Sequence, residues 1–171
     1  MNQVITTCRP NRWLYIDFNS YFASVEQQLN PALRGRPVAV VPVMTDATSA
    51  IAASYEAKAF GIKTGTPIWE AKQKCPGLIC VLGNHEAYVA YHHRAIAEVE
   101  NHIPVTMVCS IDEIACRLMS NENSTERATE IAMNIKRGLA KSIGEYVKCS
   151  IGIAPNRYLA KVATDMQKPD G

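Results

Sequence analysis

The chain has 171 residues, 47% of them apolar and 20% charged, with a net charge of +2. That is enough for one globular domain carrying a small insertion, and it excludes a disordered or fibrous chain. No apolar run approaches a membrane span, and the start, MNQVITTCRPNRW, lacks the apolar core of a signal peptide, so a cytoplasmic protein is expected.

Charge is unevenly placed. Residues 31–75 hold six Lys/Arg against three Asp/Glu, residues 76–135 three against eight, and residues 136–171 seven against three. Two basic segments thus flank an acidic middle. The six cysteines, at 8, 75, 80, 109, 116 and 149, form no CxxC pair or zinc-finger spacing and read as reduced thiols, mostly in core positions.

In chain order, RWLYIDF (12–18) alternates and is rich in aromatic and branched residues, which predicts a strand. NSYFASVEQQL then puts Phe22, Val25 and Leu29 on one helical face, with Asn19 or Ser20 as cap. Asp17 therefore falls at a strand-to-helix junction. A loop punctuated by Pro31, Gly35 and Pro37 leads to the strand VAVVPV, and SAIAAS (49–54) reads as its partner. A short helix from Tyr55 to Phe60, a turn at Gly61 and a helix opened near Pro67 and stopped at Pro76-Gly77 follow.

The strand LICVL precedes a long amphipathic helix from Asn84 to about His102. Strands VTMVCS and EIACRL come next, then a helix to about Ile143 capped by Ser124 or Thr125, the strand VKCSIGIA and the helix PNRYLAKVATDMQK. With residues 31–76 set aside, this order predicts an α+β fold, an antiparallel-rich sheet with helices on one face.

Between the strand pair stand Asp112 and Glu113, adjacent like charges in a run that otherwise reads as buried. Taken alone, they fit a strand end turning into solvent. Four blocks in order change that reading: DFNSYFASVE (17–26), SYEAKAFGIKTGTP (54–67), SIDE (110–113) and SIGIAPNRYLAKVATDMQKPDG (150–171). Together they resemble the Y-family, translesion DNA polymerases of the ImpB/MucB/SamB type, from Trp13 onward.

The resemblance implies a ferredoxin-like palm in two parts, residues 1–30 and 77–171, with a fingers subdomain inserted at 31–76. It implies two-metal nucleotidyl transfer, with Mg²⁺ as cofactor and Mn²⁺ as a substitute. Asp17 and Asp112 would hold both metals, the Phe18 carbonyl would add a ligand, and Glu113 would complete the primer-side site. Main-chain amides of Tyr21 and Phe22 would receive phosphate oxygens, joined by Tyr55, Lys58 and Lys161.

Phe22 matches the steric gate against a ribose 2′-hydroxyl, and Ser49 and Ile51 match positions facing the nascent base pair. Each has a plainer reading: Phe22 and Tyr55 as packing aromatics, the lysines as solvated charges, Ser49 and Ile51 as small or branched strand residues. Primer–template DNA and deoxynucleoside triphosphates are the implied partners, with a sliding clamp reached through a region beyond this C-terminus.

The chain departs from the commonest pattern at several points. Asn19 replaces a frequent Asp, Lys58 replaces an Arg and so gives up a two-pronged phosphate grip, and Ala115, Cys116 and Arg117 replace an aromatic, a leucine and an aspartate. Family members continue past KPDG into a thumb and a DNA-gripping domain. Two rival readings remain: a non-catalytic scaffold in a damage-tolerance complex, and a nucleotide cyclase, which has no use for the SYEAKAFG and NRYLAKVATD blocks.

Overall fold

A computed structural model describes residues 10–171. Cys8, one of the thiols expected in the core, lies outside them. The larger sheet has four strands in the order β5-β6-β1-β7: β1 is Trp13–Phe18, β5 Val105–Ser110, β6 Glu113–Arg117 and β7 Cys149–Ala154. Every neighbouring pair is antiparallel. The β-branched and aromatic content of β1 suits this central position, where both faces are covered.

Alternation along β1 divides the faces. Leu14, Ile16 and Phe18 join the main core with Ile114, Cys116 and Cys149, beneath helices α4 (His85–Glu100) and α5 (Thr125–Ser142). Full burial of Leu14 and Ile16 contributes about 1.5–3 kcal/mol each. The opposite face carries Tyr15 and Ala115, and helix α6 (Arg157–Met166) packs there through Ala160. The expectation of helices on one face is corrected here: the two long helices share one face, while the last helix covers the other.

Gly152 makes that second contact close. A Cβ at this position would come within 2.0 Å of the Ala160 carbonyl oxygen, so the α6 backbone rests directly on β7.

A second sheet has the order β3-β2-β4, with β2 Val38–Val41, β3 Ala52–Ala53 and β4 Ile79–Leu82. It runs past residue 76, because β4 pairs parallel with β2. The expected six-residue strand at 49–54 shortens to two residues. Ser49 makes only an isolated bridge with Pro67, and the intervening chain turns to hydrogen-bond Thr66 and Gly65 through Ala50. Helices α2 (Tyr55–Lys58) and α3 (Ile68–Lys74) complete this unit.

Helix α1, Tyr21–Leu29, packs against β2, β3 and α4 and is buried on most sides. The expected apolar face of Phe22, Val25 and Leu29 is corrected accordingly: Val25 is buried, Phe22 half-buried, and Leu29 is 47% exposed. Polar side chains enter instead with their partners. Glu26 accepts a hydrogen bond from the Tyr88 hydroxyl at 2.7 Å, and Gln27 donates to the Leu33 carbonyl and to Glu56. Such pairing removes the main cost of burying them.

The helix caps follow sequence more simply elsewhere. Asn84, Ser124 and Asn156 each accept from an amide in the first turn of α4, α5 and α6. Three of the five described cysteines, Cys75, Cys116 and Cys149, are buried thiols.

Candidate active site

Strand register brings the first acids together. Asp17 is the cross-strand partner of Glu113, so their side chains emerge on one face of the sheet. The β5–β6 hairpin closes through a two-residue turn, Ile111-Asp112, which puts Asp112 beside the end of β1. The Phe18 amide donates to the Asp112 carbonyl at 2.9 Å and pins the turn there. His92 of α4 contacts the Ile111 carbonyl through Nδ1 at 2.8 Å.

All three carboxylates line one open cavity of about 260 Å³, with Phe18, Ser20, Tyr21, Phe22, Ile51, Tyr55, Lys58 and Lys168 among its walls. They are not gathered into a single ready ligand cluster among the described residues. Each is held by neighbours instead. The Ser110 hydroxyl donates to Asp112 Oδ1 at 2.6 Å, and the Tyr15 hydroxyl donates to Glu113 Oε2 at 3.0 Å. Burial, reinforced by Cys109 and Glu113, raises the Tyr15 pKa above its ordinary value, so this phenol stays a donor.

Two ammonium groups meet the acids. Lys161 pairs with Asp17 Oδ2 and, at 2.7 Å, with Glu113 Oε1; Lys168 reaches Asp17 Oδ2 at 2.8 Å and Asp165 at 2.8 Å. Burial works against both charges, yet the carboxylates outweigh it and raise both lysine pKa values. A carboxylate only 5% exposed that holds two cations marks a strongly cation-seeking position.

The first turn of α1 forms another wall. Ser20 occupies the cap position in a left-handed conformation, φ 48 and ψ 45, and its side chain makes no capping bond. Its hydroxyl is buried without a hydrogen-bond partner. The amides that open α1 therefore face the cavity without a side-chain cap, at the positive end of the helix. A serine held in this left-handed conformation costs stability, and the uncapped helix end above it suits a bound anion.

Phe22 lies on the same wall, stacked on Tyr88 with ring centroids 4.3 Å apart and planes 16° from parallel. Tyr88 is held by its bond to Glu26 and by the Tyr21 hydroxyl, which donates to its carbonyl at 2.7 Å. Across the cavity, the Lys58 ammonium sits 4.5 Å from the centre of the Tyr55 ring. Burial lowers the Lys58 pKa and raises that of Tyr55.

The expected residues thus separate into groups. Asp17, Phe18, Tyr21, Phe22, Ile51, Tyr55, Lys58, Asp112 and Glu113 share the cavity. Lys161 does not line it and is engaged with the acids, and Ser49 stands outside it in the Pro67 bridge. Three contributors lie beyond the expected set: Lys168, Ser20 and Tyr88. Lys168 stood in the quoted KPDG ending, but only the tertiary fold brings it to Asp17, 151 positions away.

Comparison with known proteins agrees with this geometry. The model of the impB/mucB/samB family matches residues 16–165. DNA polymerase IV 1 of Bacillus subtilis is 40% identical over 158 residues, which cover 92% of this chain and 37% of the relative. DNA polymerase IV 2 of Agrobacterium fabrum is 37% identical over 92% of this chain and 43% of its own length.

Among solved structures, DinB from Sulfolobus solfataricus superposes with a TM-score of 0.85 at 32% identity, over 94% of this chain and 47% of that one. An insertion ternary complex of Dbh DNA polymerase gives 0.85 at 33% identity, with the same coverage. This chain spans less than half the length of these relatives. The match to the family model, the level of identity to the polymerases and the shared fold place it together: the chain belongs to the impB/mucB/samB family, the Y-family of DNA polymerases.

Proposed function

We propose that this chain is the palm and fingers part of a translesion DNA polymerase, carrying the groups that join a deoxynucleotide to a primer on damaged template DNA. The observation that carries the reading is the convergence of Asp17, Asp112 and Glu113 on one cavity whose other wall is the open N-terminus of α1. An acidic cluster facing a phosphate-seeking helix end suits metal-assisted phosphoryl chemistry. The donor set is all oxygen, which fits hard divalent cations.

Asp17, Asp112, Glu113 and the Phe18 carbonyl would hold two Mg²⁺ ions, or Mn²⁺ in their place, which would supply Lewis-acid activation of the primer hydroxyl and neutralise charge on the triphosphate. The protein's own groups bind and orient. The Tyr21 and Phe22 amides receive phosphate oxygens, with Lys58, Lys168 and the Tyr55 hydroxyl opposite. Lys161 spans Asp17 and Glu113 and holds the two carboxylates at a fixed separation. Phe22, braced by Tyr88, offers a flat ring to deoxyribose and clashes with a 2′-hydroxyl. Ile51 borders the space for the nascent base pair, and Ser49 lies farther out.

The fingers would comprise residues 31–76, with β4 from the following segment completing their sheet, and the palm would be formed by the described residues before 31 and those after β4. Primer–template DNA and deoxynucleoside triphosphates are the partners, and a sliding clamp would be engaged by regions the longer relatives possess. The setting is the cytoplasm; no helix among the described residues is long and apolar enough to cross a membrane.

The scaffold reading is less well supported, since a scaffold has no need of three acids on a phosphate-sized cavity. Primer extension on a hairpin DNA with Mg²⁺ or Mn²⁺, comparing the chain with its Asp112→Ala variant, tests the proposal. Metal-dependent extension that the variant lacks is the expected result. Equal extension by both would sink it.

A further inference from the structure

Asn19 takes no part in the acid cluster, although it stands two residues from Asp17. It is 2% exposed, and every polar group it carries is engaged in joining three segments. Its amide donates to the Lys148 carbonyl at 2.8 Å, its carbonyl accepts from the Ser24 hydroxyl at 2.6 Å, and Nδ2 donates to the Ser150 hydroxyl at 3.0 Å. The remaining atom, Oδ1, accepts from the Asp170 amide at 2.9 Å.

That last bond reaches the segment carrying Lys168. Asp170 turns there in a left-handed conformation, φ 62, which a non-glycine residue keeps only when its surroundings hold it. The turn has three further anchors, one of them the Lys136 ammonium, which donates to the Asp170 carbonyl at 2.6 Å. The Ile151 amide donates to the Gly171 carbonyl at 2.9 Å, and the Asp170 carboxylate meets Lys136 at 3.0 Å and Lys148 at 3.3 Å. The Asn19 bond has the more sheltered end: Asn19 and Ser150 are buried, whereas the Asp170 side chain that makes the ion pairs is 41% exposed.

We propose that Asn19 is a positioning residue for Lys168: its buried carboxamide holds the turn at Asp170 and so fixes the Lys168 ammonium on the wall of the nucleotide cavity. A lysine left to itself loses rotamer freedom when it meets a phosphate. A backbone already clamped two residues away reduces that loss and aims the stem. The proposal explains the departure at this position, because an amide serves as bracket as well as a carboxylate would: either supplies an acceptor for the Asp170 amide. With Asp, the Ser150 hydroxyl turns to donate. The requirement is for an acceptor, and not for charge or metal ligation.

The inference rests on the reading of the cavity as a triphosphate site, so the test separates the two. Equilibrium binding of dATP with Mg²⁺, without DNA, is measured for the wild type, Asn19→Ala, Asn19→Asp, Lys168→Ala and the Asn19→Ala/Lys168→Ala double variant. Hydrogen exchange at the Asp170 and Ile151 amides is followed alongside. Asn19→Ala is expected to weaken dATP binding about fivefold and to speed exchange at both amides, while Asn19→Asp stays within about twofold of wild type. The double variant should bind no more weakly than Lys168→Ala alone, since the bracket acts through that ammonium.

Ser150→Ala removes one hydroxyl and frees the amide to swing; it gives the same direction at smaller size and serves if Asn19→Ala does not fold. Wild-type binding by Asn19→Ala beside weakened binding by Lys168→Ala overturns the bracket and leaves the cavity reading standing. Additive losses in the double variant also overturn it. Unchanged binding by Lys168→Ala removes the role of Lys168 at phosphate, and the inference with it.

Discussion

Leu14 and Ile16 lie between α4 and α5 and the sheet, whereas Tyr15 and Asp17, one step away on β1, meet α6 and the cavity. The two faces of this sheet are built on different principles. One is dry, filled by aliphatic side chains and the buried ring of Tyr88. The other pairs the buried Asp17 carboxylate with two lysines, one of which also meets Glu113, the acceptor of the Tyr15 hydroxyl. The first stabilises the fold through area removed from water; the second spends stability to keep charge close to where phosphate chemistry would occur.

The sharpest way to break this division is to mutate across it. Asp112→Ala should lower nucleotide incorporation on the order of a thousandfold or more, with urea unfolding little changed. Ile16→Ala should do the reverse in kind, costing about 2–5 kcal/mol of stability by leaving a cavity in the dry face. A large stability loss in Asp112→Ala would show that the polar face also holds the fold, and the division would fail.

Gly152 links the faces. Gly152→Ala places a methyl against the Ala160 carbonyl and must push α6 outward, at a cost of about 1–3 kcal/mol. Because Lys161 rides on α6 and Lys168 follows it, incorporation should fall along with the urea midpoint. Loss of stability with full activity would mean that α6 covers the site without shaping it.

Much of the dry face could be read from the chain. Alternation in RWLYIDF and the spacing of Ile131, Ile135 and Leu139 in α5 lead directly to strand, helix and core. The acids stood out only through the four ordered blocks of the family resemblance, since the Asp112-Glu113 pair taken alone fits a strand end turning into solvent. What stayed hidden was set by tertiary contact. Leu29 follows helical spacing yet is exposed, because α1 is packed between the smaller sheet and α4 and buries Gln27 and Glu26 in its stead. Lys168 looks like any lysine in a helix end, and no local pattern marks Ser20 as left-handed or Tyr88 as the floor beneath Phe22.

That floor gives a smaller, more specific test. Phe22→Ala should raise ribonucleotide incorporation relative to deoxyribonucleotide by about tenfold or more, by opening space for the 2′-oxygen. Tyr88→Leu leaves Phe22 in place but removes its stacking partner and strands the Glu26 carboxylate, so a lesser loss of sugar discrimination should accompany a stability cost of about 1–3 kcal/mol. Unchanged discrimination in Phe22→Ala would leave that ring a packing residue only.

The smallest effect belongs to Asp170, where the polar face reaches solvent. Burial tends to raise its carboxyl pKa, but Lys136 and Lys148 outweigh this and hold it below the ordinary value. A carboxyl depressed on folding contributes stability that is present above the unfolded value of about 3.9 and is lost as pH falls through the folded one. With a side chain 41% exposed and screened by water, its contribution should stay below about 1 kcal/mol. The carbon shift of the Asp170 carboxyl, followed by NMR, should titrate below the free value, and Lys136→Gln should move it upward. Titration at the ordinary value would mean that the ion pairs do not hold the turn in solution, leaving the Asn19 bond, the Lys136 bond to the Asp170 carbonyl and the Ile151–Gly171 pairing to keep Lys168 in place.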